Sequence, residues 1–109
     1  MKYSTLIALM TTLTIPGIAF GADTQQDQGK QLFTKHCAAC HGERGFATAQ
    51  LEKRVGKDFG MLEKRTDLTP PLINHVVRYG IRSMPWFTRV ELPDTDAAAI
   101  ATYLTKPNR

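Results

Sequence analysis

Both cysteines of this 109-residue chain fall within one pentapeptide, Cys37-Ala-Ala-Cys40-His41. On a helix, positions 37, 40 and 41 are i, i+3 and i+4, so two sulfurs and an imidazole emerge on one side. The chain is short enough for this cluster to dominate its folding. A domain of this size buries only a modest core and needs a disulfide, a metal or a cofactor as a staple. A disulfide closing so small a loop adds little. The group that these three side chains hold must therefore supply much of the centre.

The N-terminus sets the compartment. Lys2 precedes an apolar run through Leu6, Ile7, Leu9, Met10, Leu13 and Ile15, which Pro16-Gly17 interrupts. Ala19-Phe20-Gly21 then gives the small-x-small pattern of a signal-peptidase site. The expected division is a cleaved signal peptide, 1–21, and a domain, 22–109, delivered to the periplasm. The rival reading retains the segment as a membrane anchor, but the run is short for a span and lacks a basic stop. No cysteine lies near the cleavage site, so a lipid-modified start is not expected. In an oxidising compartment a close cysteine pair serves as a disulfide, a metal site or a cofactor attachment.

The formal net charge is +4, one unit less once Lys2 leaves with the leader. Nucleic-acid binders cluster such an excess on one face. Here Lys53, Arg54, Lys57, Lys64 and Arg65 alternate with Glu52, Asp58 and Glu63, the pattern of a solvated helical face. No nucleic-acid partner is expected.

Helical signals run along the whole chain, and no stretch shows strand alternation. A first helix starts at Asp23 or Thr24 and runs to about Ala38, with Gly29 and Phe33 on one side. Gly42 to Thr48 reads as a loop. A near-repeat, Leu51-Glu-Lys-Arg54 and Leu62-Glu-Lys-Arg65, is split by Gly56 and Gly60 into two short pieces. The segment LTPPLINHVVRYG predicts a helix capped by Thr69 and closed by Gly80, with prolines in its first turn. Its apolar positions are Leu72, Ile73, Val76, Val77 and Tyr79. The last helix begins near Pro93 or Asp94, buries Ile100, Tyr103 and Leu104, and stops before Pro107. Asp94 and Asp96 favour its N-terminal dipole. The fold class is all-α.

Cys-x-x-Cys-His is the attachment pattern of a c-type haem. Two thiols at this spacing form thioethers with one porphyrin, and His41 binds its iron. A thioredoxin-like redox pair needs a βαβ context that is missing. A zinc site needs four ligands, and His36 and His75 form no second close pair. The sixth iron ligand decides the function, because an open position binds small molecules whereas two protein ligands leave electron exchange. Met84, in Arg-Ser-Met84-Pro85-Trp-Phe, is the leading candidate: it lies between helices, and Pro85 restricts it to extended conformations. The rivals are Met61 and, for bis-histidine ligation, His75.

With CAACH after a Gly29–Phe33 helix, Met84-Pro85 downstream and a closing helix containing Tyr103-Leu104, the chain resembles a small bacterial class I cytochrome c over about residues 28–104. The resemblance implies three to five helices around one covalently attached haem c. It implies cofactor binding by Cys37, Cys40, His41 and Met84, with His41 and Met84 on the metal. It implies a periplasmic electron carrier rather than an enzyme, and a close crossing of the first and last helices through Gly29, Phe33 and Tyr103. The length and the stretch VVRYGIRSMPWF are also similar to the cytochrome subunits of flavin-dependent hydroxylases such as p-cresol methylhydroxylase.

The expected partners are a redox donor and acceptor, including a flavin or quinone dehydrogenase. A dedicated subunit of a periplasmic dehydrogenase or oxidase, and a haem enzyme or gas-binding protein with an open iron position, are the alternatives. One departure stands out: GFATAQL carries no proline where the family places the carbonyl that accepts from the ligand histidine. Trp86 and Phe87 are candidates to line the haem pocket, Arg78, Arg82 and Arg89 to pair with its propionates, and His36 to lie at the surface.

Overall fold

The structure, a computed structural model, describes residues 21–106. The expected signal peptide lies outside them except for Gly21. Five α-helices follow in chain order: α1 Gly21–His36, α2 Ala38–His41, α3 Phe46–Val55, α4 Pro70–Tyr79 and α5 Asp94–Thr105. Two 3-10 turns, Lys57–Phe59 and Leu62–Lys64, lie between α3 and α4. There is no strand among the described residues beyond an isolated bridge between Ile81 and Met84, so the chain is all-α. Nor is any described helix long and apolar enough to cross a membrane.

The near-repeat resolves into two short elements, as Gly56 and Gly60 imply: its first copy lies in α3 and its second in a 3-10 turn. Two expected boundaries shift. The first helix, described from Gly21, breaks at Cys37, whose φ of −120° interrupts it. The loop after the cysteine pair ends early, because α3 already begins at Phe46.

The crossing of α1 and α5 organises the fold. A Cβ built on Gly29 would lie 2.7 Å from Tyr103 Cβ and closer still to the Ala99 carbonyl oxygen. Only glycine permits that approach. Phe33, one turn on, meets Tyr103 with ring centroids 5.8 Å apart. Phe33 and Ile100 are each 1% exposed, and full burial of such a side chain is worth ~1.5–3 kcal/mol. Ala97, Ala99 and Ala101 are buried on the same helix, where small side chains let its neighbours approach. The Tyr103 hydroxyl donates to the Glu63 carboxylate, tying the second 3-10 turn to α5.

Helix α4 packs on α5 and follows its sequence signals closely. The Thr69 side chain accepts from the Leu72 amide, and the Gly80 amide donates to Val76 O at 2.8 Å. Its apolar face lines a cleft: Ile73 and Val77 from the buried side, Leu72 and Val76 from the more exposed side. Tyr79 lies apart from that face, 74% exposed. Leu92, in the irregular stretch before α5, is completely buried, although nothing in its local pattern marks it as core.

Candidate functional site

The pentapeptide folds as a kink followed by one helical turn. The Cys37 amide donates to Phe33 O at 2.8 Å, completing α1. The amides of Cys40 and His41 then both donate to Cys37 O, at 3.1 and 2.9 Å. This turn keeps the two sulfurs and the imidazole on one short element. Buried Thr48 fixes its far end, donating from its hydroxyl to Gly42 O at 2.7 Å. That bond pins α3 against α2.

An apolar cleft of about 230 Å³ opens beside this turn. Cys37 and His41 reach it from the pentapeptide, Leu72 and Val76 from α4, Leu104 from α5, and Met84 from the segment after α4. A second hollow of about 350 Å³ shares His41, Leu51, Ile81 and Met84 with the first. The two adjoin along those four residues and together make a trough. The fold thus brings His41 and Met84, 43 positions apart in the sequence, to the same trough.

Backbone geometry delivers Met84. Gly80 ends α4 with a φ of +68°, a conformation that side chains disfavour. A Cβ there would lie 2.6 Å from Met84 O. Ile81 and Met84 exchange two main-chain bonds, N to O at 3.3 Å and 2.9 Å, around a tight turn. Arg82 occupies that turn with a φ of +55°, which costs a non-glycine residue roughly 1 kcal/mol or more. Beyond Pro85, the Phe87 amide donates to Val77 O at 2.8 Å, returning the chain to α4.

The electrostatics suit a cofactor better than free thiol chemistry. Burial, with a smaller contribution from Cys40, pushes the Cys37 thiol up to about 11. A thiol so rarely ionised is a poor redox nucleophile. Neither cysteine forms a disulfide. Burial lowers the His41 pKa below its ordinary value, so the ring stays neutral at neutral pH, the state a metal requires. Its Nδ1 is buried with no hydrogen-bond partner among the described residues, an arrangement costly to leave unsatisfied. No group of three or more His, Cys, Asp or Glu side chains gathers among the described residues as a zinc site needs. The Cys37 thiol, a neutral imidazole, a thioether and apolar walls meet at the cleft, and exposed Cys40 stands on the same turn outside its lining; this set fits a covalently attached haem.

Other candidates fall elsewhere. Met61 precedes the second 3-10 turn and does not line the cleft. His75 is exposed on α4, its ring 4.8 Å from that of Tyr79. Trp86 is 65% exposed and lines a shallow hollow with Tyr79 and Arg89 instead. Phe87 packs against the core, edge-on to a half-buried His36. Arg78 is engaged with Asp94 and with the carbonyls of Phe87 and Leu92, and Arg89, largely exposed, binds Asp94 through Nε. Arg82 does line the trough. Sequence reasoning missed Arg65, which lines the apolar cleft with its side chain only 14% exposed while pairing with Asp67 at 2.7 Å. It sits in a charged run like any surface arginine, so no local signal sets it apart.

Comparison with known proteins gives one family. The model described as cytochrome C oxidase, cbb3-type, subunit III matches residues 24–104. No curated protein and no solved structure matches the chain. The matched segment spans the pentapeptide, the cleft and all but the edges of the described helices.

Proposed function

This chain belongs to the cbb3-type cytochrome c oxidase subunit III family of c-type cytochrome domains, carrying covalently attached haem c, and on that premise we propose a periplasmic one-electron carrier with His/Met ligation. Cys37 and Cys40 anchor the cofactor, and His41 and Met84 bind its iron. The observation that carries this reading is the convergence of His41 and Met84 on one apolar trough, from which the rivals Met61 and His75 are absent. When bound, the haem iron alternates between ferrous and ferric states, releasing or accepting one electron.

The protein's part is to keep both ligand positions filled and the surroundings dry. Burial holds His41 neutral, so that no proton competes for the ligating nitrogen. Held by both the Met84 sulfur and the His41 nitrogen, a haem iron would have a raised reduction potential. The Gly80 turn and the Ile81–Met84 bonds fix the methionine backbone, which limits rearrangement when the iron changes charge. Leu72, Ile81 and Phe46 are partly exposed along the trough. That rim is where a donor or acceptor docks. With two ionised propionates the charge of the mature chain approaches neutrality, so local contacts matter more than long-range steering.

Carbon monoxide titration of the reduced protein tests the reading. Slow, weak binding is expected. Rapid, tight binding would show an open iron position and favour a haem enzyme or gas-binding role. The family's description as an oxidase subunit favours one second reading, in which this chain is the fixed electron-transferring subunit of a larger oxidoreductase. Purification of the native protein decides between them: a free carrier elutes alone, and a subunit brings its partner.

A further inference from the structure

We infer that Arg78 is a positioning residue for the Met84 segment, acting through main-chain carbonyls and a carboxylate rather than through the cofactor. The inference rests on the reading of Met84 as an iron ligand. Arg78 stands in the last turn of α4, its side chain only 12% exposed. Its Nη1 donates to Phe87 O at 3.2 Å and its Nη2 to Leu92 O at 2.8 Å. Nε and Nη2 both donate to Asp94 Oδ1, at 3.2 and 2.7 Å. One guanidinium thus holds three points on the stretch that carries the chain from Met84 back to α5.

The geometry makes this stretch the far anchor of the methionine. On the near side, Met84 follows α4 directly through the Gly80 turn. On the far side, Phe87 returns to α4 through its amide on Val77 O and its carbonyl on Arg78. Met84 sits between those two attachments. A thioether is a neutral ligand that leaves iron readily when its backbone is free to move. Bonds from a charged donor are the stronger kind. Replacing the arginine leaves the partly buried carbonyls of Phe87 and Leu92 without this donor. Arg89 binds the other Asp94 oxygen, at 2.9 Å, but is itself 73% exposed. It offers no substitute for the bonds to Phe87 and Leu92.

The test uses the full haem-loaded protein. Guanidinium titration of the ferric form follows two signals, the thioether-to-iron absorption band and the far-ultraviolet helical signal. In Arg78→Gln the band is lost at lower denaturant than the helices, and carbon monoxide binds the reduced protein about tenfold faster than in wild type. Gln31→Gly, a helix-weakening control at an exposed position of α1, moves both midpoints together and leaves the carbon monoxide rate unchanged. Should Arg78→Gln fail to accumulate, Asp94→Asn removes the exposed partner of the same guanidinium. It should separate the two midpoints to a smaller degree and speed hydrogen exchange at the Phe87 amide. The inference is overturned if the variant that matures loses band and helix together with a carbon monoxide rate like that of wild type. A wild type without the band, or a Met84→Ala protein that keeps it, overturns the ligand reading and this inference with it. A wild type with the band and an unmoved variant overturns the role of Arg78 alone.

Discussion

Adding one methyl group at Gly29 tests the helix crossing on which the fold depends. In an isolated helix, Gly29→Ala is favourable by about 1 kcal/mol. In this fold the new Cβ would lie 2.7 Å from Tyr103 Cβ and nearer still to the Ala99 carbonyl. Both obstacles belong to α5 and neither is the free end of a side chain, so the helices must separate. Separation stretches the Phe33–Tyr103 contact, now 5.8 Å between centroids, and loosens the core around Ile100. Overpacking of this kind costs ~1–3 kcal/mol, and the lost aromatic contact adds roughly 0.5–1.5 kcal/mol. After the helix-propensity gain, a net loss of about 2 kcal/mol remains. Guanidinium unfolding of the holoprotein, followed by circular dichroism, should show a midpoint lower by roughly 0.5–1 M. A midpoint unchanged or raised would show that α1 and α5 do not approach this closely, and the argument from Gly29 would fail.

Three further outcomes follow from the site. Gly80→Ala forces an alanine into a positive φ and against Met84 O. It should cost ~1–3 kcal/mol by denaturation and weaken the thioether band. In denatured holoprotein, iodoacetamide at about pH 8 should alkylate neither Cys37 nor Cys40, because both sulfurs are held in thioethers to the haem. Peptide mass spectrometry reads the modification, and alkylation of either cysteine would contradict covalent attachment. The bonds to Arg78, with a smaller contribution from Arg89, hold the Asp94 carboxyl below its ordinary value of 3.8. Its contribution to stability is complete above that value and disappears as the pH falls through the lower folded value. Thermal melts should therefore be less acid-sensitive in Asp94→Asn than in wild type across that window.

The parts of this protein that depend on short-range spacing were legible in its sequence. CAACH announces the cofactor because its chemistry needs two thiols and an imidazole on one turn. Thr69, Pro70, Pro71 and Gly80 delimit α4 because caps and prolines act locally. Long-range placement was less legible. Arg78 and Arg89 look like propionate partners from their position around Met84, yet both bind Asp94, and Asp94 is marked only as a favourable residue for a helix N-terminus. Leu92 lies between Glu91 and Pro93, outside any periodic pattern, and only the return of the chain toward α5 buries it. Trp86 and Tyr79 have the composition of core residues, but the face of α4 that carries Ile73 and Val77 already fills that space. Arg65 reaches the cleft because the Leu62–Lys64 turn directs the chain there, which its charged surroundings conceal.

Proton resonance spectra of the reduced protein test the central claim most directly. A methionine bound to haem iron lies over the porphyrin face, and the ring current carries its ε-methyl signal far upfield of any other methyl. The account predicts one such signal, abolished in Met84→Ala and retained in Met61→Ala. No upfield methyl in the wild type, or its loss in Met61→Ala with survival in Met84→Ala, would contradict it.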